Sequence, residues 1–235
     1  LIYRWSNKRY GSTLSPQAGK RAAFIATLLF SFSPTVLAHS RFVTTDVPAL
    51  FGILLGTYFF IKFIENQSRK NFWYAAVAFG VAQLTKFSAV LLTPLFILIA
   101  ISWAFANSFS LKSSANLFIR SIMLMAAGII FMVWPFYALH TVNYPPERQK
   151  RDTIQHLQSY GNRRFADPVV WASDKPVLRS LAQYATGALL VNQRSIGGNT
   201  TFFLGEVRNY AWKHYFPVVY AIKEPLAFWL LAMVV

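Results

Sequence analysis

The sequence predicts an all-α protein that crosses a membrane several times. Of its 235 residues, 55% are hydrophobic and only 13% are charged, a balance too apolar for an ordinary soluble domain. Three uncharged stretches, residues 22–40, 87–111 and 121–146, contain 19, 25 and 26 positions. Each is long enough to cross a bilayer as a helix, which takes roughly 20 residues. Because lipid offers no partner to an exposed backbone N–H or C=O, isolated strands are excluded.

The hydrophobic pattern predicts five complete membrane spans and the start of a sixth. Residues 1–140 form the helix bundle, with spans at about 22–39, 47–64, 72–86, 88–106 and 119–139. An external, partly helical loop region covers 141–221, and a further span begins at 222 and is cut off at 235. Because the chain starts with Leu and its last apolar run is half a crossing long, we expect a segment of a longer protein. Kinks are predicted at Pro34, Pro94 and Pro135.

Positive charge assigns the orientation of the spans. Ten Lys and Arg residues occur in one set of short connections and two in the alternate set; these are 1–21, 62–71 and 107–120 against 40–46 and 86–87. Since Lys and Arg accumulate in cytoplasmic loops, the first set is predicted to be cytoplasmic and 141–221 extracytoplasmic. On a soluble protein the net charge of +15 would indicate nucleic-acid binding. Membrane immersion accounts for it here, so no nucleic-acid partner is predicted.

Part of the loop region has the pattern of an amphipathic helix. A start signal at 173–176 precedes five apolar residues on one helical face, Leu178, Leu181, Ala182, Ala185 and Leu189. This helix either lies on the outer membrane surface or packs its apolar face inside a small helical domain.

The first candidate site is a polar cluster between the first two spans. It contains His39, Arg41 and Asp46, and Asp46 is the only acidic residue among the first 64. An outward-facing carboxylate beside basic groups can orient a sugar hydroxyl, hold a cation or act as a base. The alternative is that this segment caps the following helix, with Asp46 favoured by the helix dipole and paired with Arg41.

Two further candidates lie on the same predicted side. Lys86 stands between two apolar runs, where its ammonium could meet a phosphate or extend to lipid headgroups. Near the end of the loop region, Glu206 and Glu224 could bind metal or sugar, or Lys223-Glu224-Pro225 could simply start an interfacial helix. The external histidines fit no metal-binding spacing, so no dedicated metal site is predicted. The sequence contains no dinucleotide, P-loop, zincin or serine-hydrolase motif.

The order of several short motifs resembles a known membrane family. They are Arg9-Tyr-Gly11, Ala18-Gly-Lys-Arg-Ala22, Ala38-His-Ser-Arg41, Thr45-Asp46-Val-Pro48 and Leu84-Thr-Lys86-Phe-Ser88. Together they resemble the membrane core of glycosyltransferase family 39, a group of GT-C-type enzymes that includes protein O-mannosyltransferases and the aminoarabinose transferase of lipid A. Later motifs, Phe203-Leu-Gly-Glu206, Tyr215-Phe-Pro217 and Lys223-Glu-Pro225, resemble a block in bacterial members.

The resemblance implies a GT-C-like helix bundle in a bacterial plasma membrane that moves a sugar from a polyprenyl-phosphate donor to a protein, lipid or glycan acceptor outside the cytoplasm. Lys86 would hold the donor phosphate, and Asp46 would be a supporting catalytic residue. The other substrate-binding residues would be His39, Arg41, Glu206, Lys223 and Glu224. The family's main catalytic carboxylate lies in the first external loop, which we expect upstream of residue 1. A divalent cation could supply additional positive charge.

A secondary transporter is the alternative function. Its ionisable groups would line a pathway near the middle of the membrane. Here the candidate charges are predicted at the ends of spans, and an external stretch of 81 residues is long for a compact transporter.

Overall fold

The structure is a computed structural model that describes residues 1–13, 15–42, 44–198, 200–210 and 212–234. These residues are almost entirely helical, as the sequence predicts. The helices are α1 Ile2–Thr13, α2 Pro16–Ser31, α3 Pro34–Ser40, α4 Asp46–Glu65, α5 Arg69–Thr85, α6 Leu92–Ala106, α7 Leu111–Gly128, α8 Trp134–Thr141, α9 Pro146–Leu157, α10 Arg163–Ala172, α11 Arg179–Gly197, α12 Tyr215–Lys223 and α13 Leu226–Val234. A 3-10 turn, Phe87–Leu91, precedes α6, and a π-helical turn, Ile129–Val133, joins α7 to α8. Strands β1 Thr201–Phe203 and β2 Glu206–Arg208 form an antiparallel hairpin.

Three of the described helical stretches are long and apolar enough to cross a membrane: Asp46–Glu65, Phe87–Ala106 and Leu111–Thr141. The pair α2 and α3 makes a fourth if the two are one broken span, bent by 54° at Pro34. The prediction of an all-α polytopic membrane protein is confirmed, and so is the kink at Pro34. The π-helical turn ends just before Pro135, whose missing N–H cannot continue regular α-helical bonding.

The chain divides into two compact units, residues 1–47 with 198–235 and residues 48–197. In the first unit, α1 packs against α2, and Ser15 Oγ caps α2 by accepting a hydrogen bond from the Ala18 N–H at 3.1 Å. The stretch expected to open a span at 222 is two short helices, α12 and α13, separated at Glu224. Its last residue, Val235, lies outside the described residues.

An aromatic core holds together the membrane helices of the second unit. The rings of Phe60 and Phe96 stack with centroids 4.1 Å apart, and Phe79 packs on Phe96 at 5.7 Å. All three side chains are fully or almost fully buried. They come from α4, α5 and α6, so burial of these rings joins three consecutive helices.

Contacts along α5 fix the direction of its neighbours. Gly52 near the start of α4 lies against Thr85 at the end of α5, since an added Cβ would be 3.1 Å from the Thr85 Oγ1. These two helices therefore run antiparallel. In contrast, Arg120 of α7 donates to Gln67 just before α5 at 3.0 Å, and Gly80 lies against Met132 further along both helices. The α7–α8 stretch therefore runs parallel to α5.

The loop region contains a small helical assembly that packs on α8. Leu157, Tyr160 and Ala166 form its buried cluster, against which Leu189 and Leu190 of α11 pack. This arrangement is the second of the two alternatives that the sequence left open for the amphipathic helix. The helix begins at Arg179 rather than at the start signal 173–176. Asp174 does not cap it; its carboxylate pairs with Lys150 at 2.7 Å.

Arg179 fixes the start of α11 to the end of α8. Its guanidinium donates to the carbonyls of Thr141, at 2.9 Å, and Tyr144. It also donates to Oε1 of Gln149 at 2.9 Å, while Gln149 Nε2 donates back to the Arg179 carbonyl at 2.9 Å. Because Gln149 is completely buried, this reciprocal pair satisfies polar groups that water cannot reach.

Candidate functional site

Asp46 and His39 form the first element of the candidate site. Asp46 is the first residue of α4, where the helix dipole favours a carboxylate. The His39 Nδ1 lies 3.2 Å from its Oδ2, and both side chains remain partly exposed, at 52% and 37%. The carboxylate is thus held by a neighbour but is still accessible to a ligand. The position of Asp46 at a helix start is observed, and its role as a ligand group stays a prediction.

The other predicted residues of the first unit belong to three separate local elements, and only Lys223 and Glu224 are neighbours. Arg41 is exposed just after α3. Glu206 begins β2 and forms an ion pair with Arg208, whose guanidinium also lies 5.3 Å from the Trp212 ring centroid. Lys223 ends α12, and Glu224 follows it in extended conformation. The role of each in binding a substrate stays a prediction.

Lys86 belongs to the second unit and occupies the corner where α5 ends. Its backbone is extended, with φ −162° and ψ 139°, so the chain turns here from α5 into the 3-10 turn. The Lys86 carbonyl accepts a hydrogen bond from the Ala89 N–H at 2.9 Å, and the side chain is partly buried. The lysine therefore lies on a defined turn at the end of α5.

A buried polar contact supports this corner. Gln83, one turn before Lys86, is only 2% exposed; its Nε2 donates to the Ala89 carbonyl at 2.9 Å, and its Oε1 accepts from the Tyr184 hydroxyl at 2.7 Å. Burial, and secondarily the nearby Tyr137, raises the pKa of Tyr184 to about 12, so the hydroxyl stays protonated and donates. This bond joins the Lys86 corner to α11 across 101 sequence positions.

Aromatic packing completes the corner. The Phe87 ring lies 5.8 Å from that of Tyr184, and Tyr137 of α8 packs on Tyr184 at 5.6 Å. Phe87 also presses directly on Gly187, where no Cβ could fit without displacing the ring. The sequence did not single out Gln83, Tyr137 or Tyr184 as functional. A polar Gln in the last turn of an otherwise apolar helix was the available signal.

Among the described residues, no group of three or more His, Asp and Glu side chains comes together as a metal site would require. The divalent cation considered from the sequence stays a prediction.

Comparison with known families decides what kind of protein carries these residues. A family model described as dolichyl-phosphate-mannose-protein mannosyltransferase matches residues 10–145, more than half of the chain. The chain belongs to this family. The expected relationship to glycosyltransferase family 39 is thereby confirmed. The matched region contains His39, Arg41, Asp46 and Lys86, whereas Glu206, Lys223 and Glu224 lie beyond it.

Two curated proteins show weaker similarity. Dolichyl-phosphate-mannose–protein mannosyltransferase 1 of Schizosaccharomyces pombe is 33% identical over 89 residues, which are 34% of this chain and 10% of that protein. An uncharacterized protein of Aquifex aeolicus is 31% identical over 75 residues, 32% of this chain and 15% of that protein. The similarity thus covers a small part of each relative's length. No solved structure matches the chain.

Proposed function

We propose that this chain is part of a membrane glycosyltransferase that moves mannose from a polyprenyl-phosphate carrier to a protein hydroxyl on the extracytoplasmic side. The observation that carries the proposal is the family match over residues 10–145, which includes both Asp46 and Lys86. The family description names a dolichyl-phosphate-mannose donor and a protein acceptor. The ten-to-two distribution of basic residues supports the side of the membrane.

The chemistry requires two kinds of group. The acceptor hydroxyl attacks the anomeric carbon of the sugar and loses its proton to a base, while the bond from that carbon to the phosphate oxygen breaks and leaves negative charge on the lipid phosphate. Lys86 supplies positive charge to that phosphate at a membrane-helix end, with the isoprenoid tail remaining in lipid. Asp46, held by His39, orients the sugar or the acceptor. The principal base is expected in another part of the full-length protein.

The charge pattern supports a joint role for these two residues. Asp46 and Lys86 lie in the connections 40–46 and 86–87, which together carry two basic residues against ten in the alternate set. We therefore propose that both side chains act on the extracytoplasmic side of the membrane.

The test is sugar transfer by the full-length protein in vesicles, with polyprenyl-phosphate-mannose as donor and a Ser/Thr-containing peptide as acceptor. A hydrogen bond to a charged group contributes about 1.5–3 kcal/mol, so Lys86→Ala is expected to lower kcat/KM roughly 10–100-fold. Lys86→Arg should recover part of this loss because it keeps the charge. Asp46→Asn should lower transfer as well.

Matched substitutions separate the proposed roles from general loss of charge. Lys112→Ala removes an exposed lysine from the first turn of α7, and Asp167→Asn removes an exposed carboxylate from α10. Both controls should retain transfer. Full activity in Asp46→Asn and Lys86→Ala would refute the assigned roles, and solute uptake without sugar transfer would favour the transporter.

A further inference from the structure

A short turn of the loop region contacts the first residue of α8 rather than the end of that helix. The Trp134 Nε1 of α8 donates a hydrogen bond to the Val177 carbonyl at 2.8 Å. Val177 belongs to the connection between α10 and α11. We define the turn as residues 171–178, which include the last two residues of α10, Trp171 and Ala172. Trp134 precedes the end of α8, at Thr141, by seven residues. At 1.5 Å per residue, the Trp134 backbone lies about 10 Å before the end of that helix, and the hydrogen bond brings the turn close to this level.

A second measure of depth agrees. Since Gly80 lies against Met132 and the two helices run parallel, Trp134 is level with residue 82 of α5. Helix α5 ends at Thr85, three residues or about 4–5 Å further on. With only 17 residues, α5 is about 25 Å long, which is shorter than a hydrocarbon core of about 30 Å. The end of α5, and with it the Val177 carbonyl, is therefore close to the boundary of that core.

The side chains of the turn suit this depth. Trp171 is 59% exposed, Val177 64% and Leu178 38%, although all three are large and apolar. Lys175 lies with its Nζ 5.8 Å from the Trp171 ring centroid and 3.3 Å from Asp174, which also pairs with Lys150. Exposed apolar side chains next to a tryptophan and to paired charges are typical of segments that lie in the headgroup region of a bilayer.

Helix α8 continues the same kind of surface. Beyond Trp134 it exposes Phe136, Leu139 and then Val142, at 45%, 75% and 70%. Apolar side chains exposed this far along the helix indicate that lipid reaches past the level of Trp134. If water surrounded the turn instead, the apolar side chains of the turn and of the end of α8 would be exposed to solvent.

We propose that the turn 171–178 is a membrane anchor, with Trp171, Val177 and Leu178 inserted among phospholipid acyl chains just below the headgroups. The bilayer is the occupant of this surface because the turn is contiguous, through Trp134, with a membrane-spanning helix. The anchor fixes the start of α11, the helix whose Tyr184 holds the Lys86 corner, relative to the membrane surface. This inference does not depend on sugar transfer.

These 235 residues contain no cysteine, and any cysteine elsewhere in the full-length protein is replaced by serine, so that single introduced cysteines report without background. In full-length protein reconstituted in phosphatidylcholine–phosphatidylglycerol vesicles, nitroxide labels are placed at Val177→Cys, Trp171→Cys and, as control, Gln155→Cys. Gln155 is exposed on α9 and lies about 140° around that helix from Lys150, the residue that pairs with Asp174 of the turn. The measurement is the ratio of collision with oxygen, which concentrates in lipid, to collision with a water-soluble nickel complex.

The proposal predicts a severalfold higher oxygen-to-nickel ratio at residues 177 and 171 than at residue 155. Two labelled sites keep the test decisive if one substitution disturbs folding. Equal ratios at all three positions, or a water-like ratio at both 177 and 171, would overturn the anchor. Because no activity is measured, failure of the anchor and failure of the glycosyltransferase proposal are distinguishable.

Discussion

Tyr184→Phe tests the buried contact that joins α11 to the Lys86 corner. The substitution keeps the ring, which packs on Phe87 and Tyr137, and removes only the hydroxyl. Gln83 Oε1 then loses its 2.7 Å donor inside a site where the Gln83 side chain is 2% exposed. An unsatisfied buried acceptor costs about 1–3 kcal/mol. For a chain of this size, each kcal/mol lowers the unfolding midpoint by about 2–4 °C.

The assay is thermal unfolding of the full-length protein in detergent, followed by near-ultraviolet circular dichroism. Tyr74→Phe is the matched control, because Tyr74 is 48% exposed on α5. We expect a lower midpoint for Tyr184→Phe and an unchanged midpoint for the control. If both variants unfold at the wild-type temperature, the Gln83–Tyr184 bond does not stabilise the corner.

The same variant has a defined pH dependence. Burial raises the pKa of Tyr184 to about 12 from its ordinary value of 10, so the folded state binds this proton more tightly than the unfolded chain. The resulting stability is present in full below pH 10 and is lost as pH rises from about 10 to 12. At about 1.4 kcal/mol per pKa unit, this amounts to roughly 3 kcal/mol. The stability difference between wild type and Tyr184→Phe should therefore shrink across that interval, and a constant difference would contradict the assignment.

Two further substitutions test the packing around α11. Gly187→Ala places a Cβ 2.2 Å from the Phe87 ring and should destabilise the protein by about 1–3 kcal/mol. In the control Gly161→Ala the added Cβ meets nothing within 4 Å, so this variant should have little effect in the same thermal assay. Arg179→Ala leaves the buried Gln149 Oε1 without its donor, so we expect a loss of at least about 2 kcal/mol and faster proteolysis of the loop region; unchanged protease resistance would count against this role.

Composition and hydropathy were sufficient to predict an all-α membrane protein, because backbone groups in lipid must form their hydrogen bonds within the protein, which leaves few alternatives. The bend at Pro34 followed from the missing proline N–H. These features depend on local chemistry, which a single sequence displays directly.

The parts that escaped prediction depend on contacts between distant residues. Tyr184 is one of several Tyr and Trp residues in the loop region, and no local sequence pattern links it to Gln83, 101 positions away. Asp174 had the spacing of a helix start and instead pairs with Lys150 of α9, whose ammonium lowers the pKa of that carboxyl. A carboxylate that could cap a helix can instead pair with a nearby cation, and the sequence does not show which cation the fold places beside that carboxylate.

The predicted placement of Asp46 and Lys86 on one side of the membrane is tested most directly by a distance. Nitroxide labels at Asp46→Cys with Lys86→Cys are compared with labels at Asp46→Cys with Lys112→Cys by pulsed electron spin resonance, in full-length protein from which any native cysteine has been removed. We expect residues 46 and 86 to lie much closer than the hydrocarbon thickness of about 30 Å, and residues 46 and 112 to be separated by at least that thickness. Equal separations in the two pairs would contradict this placement.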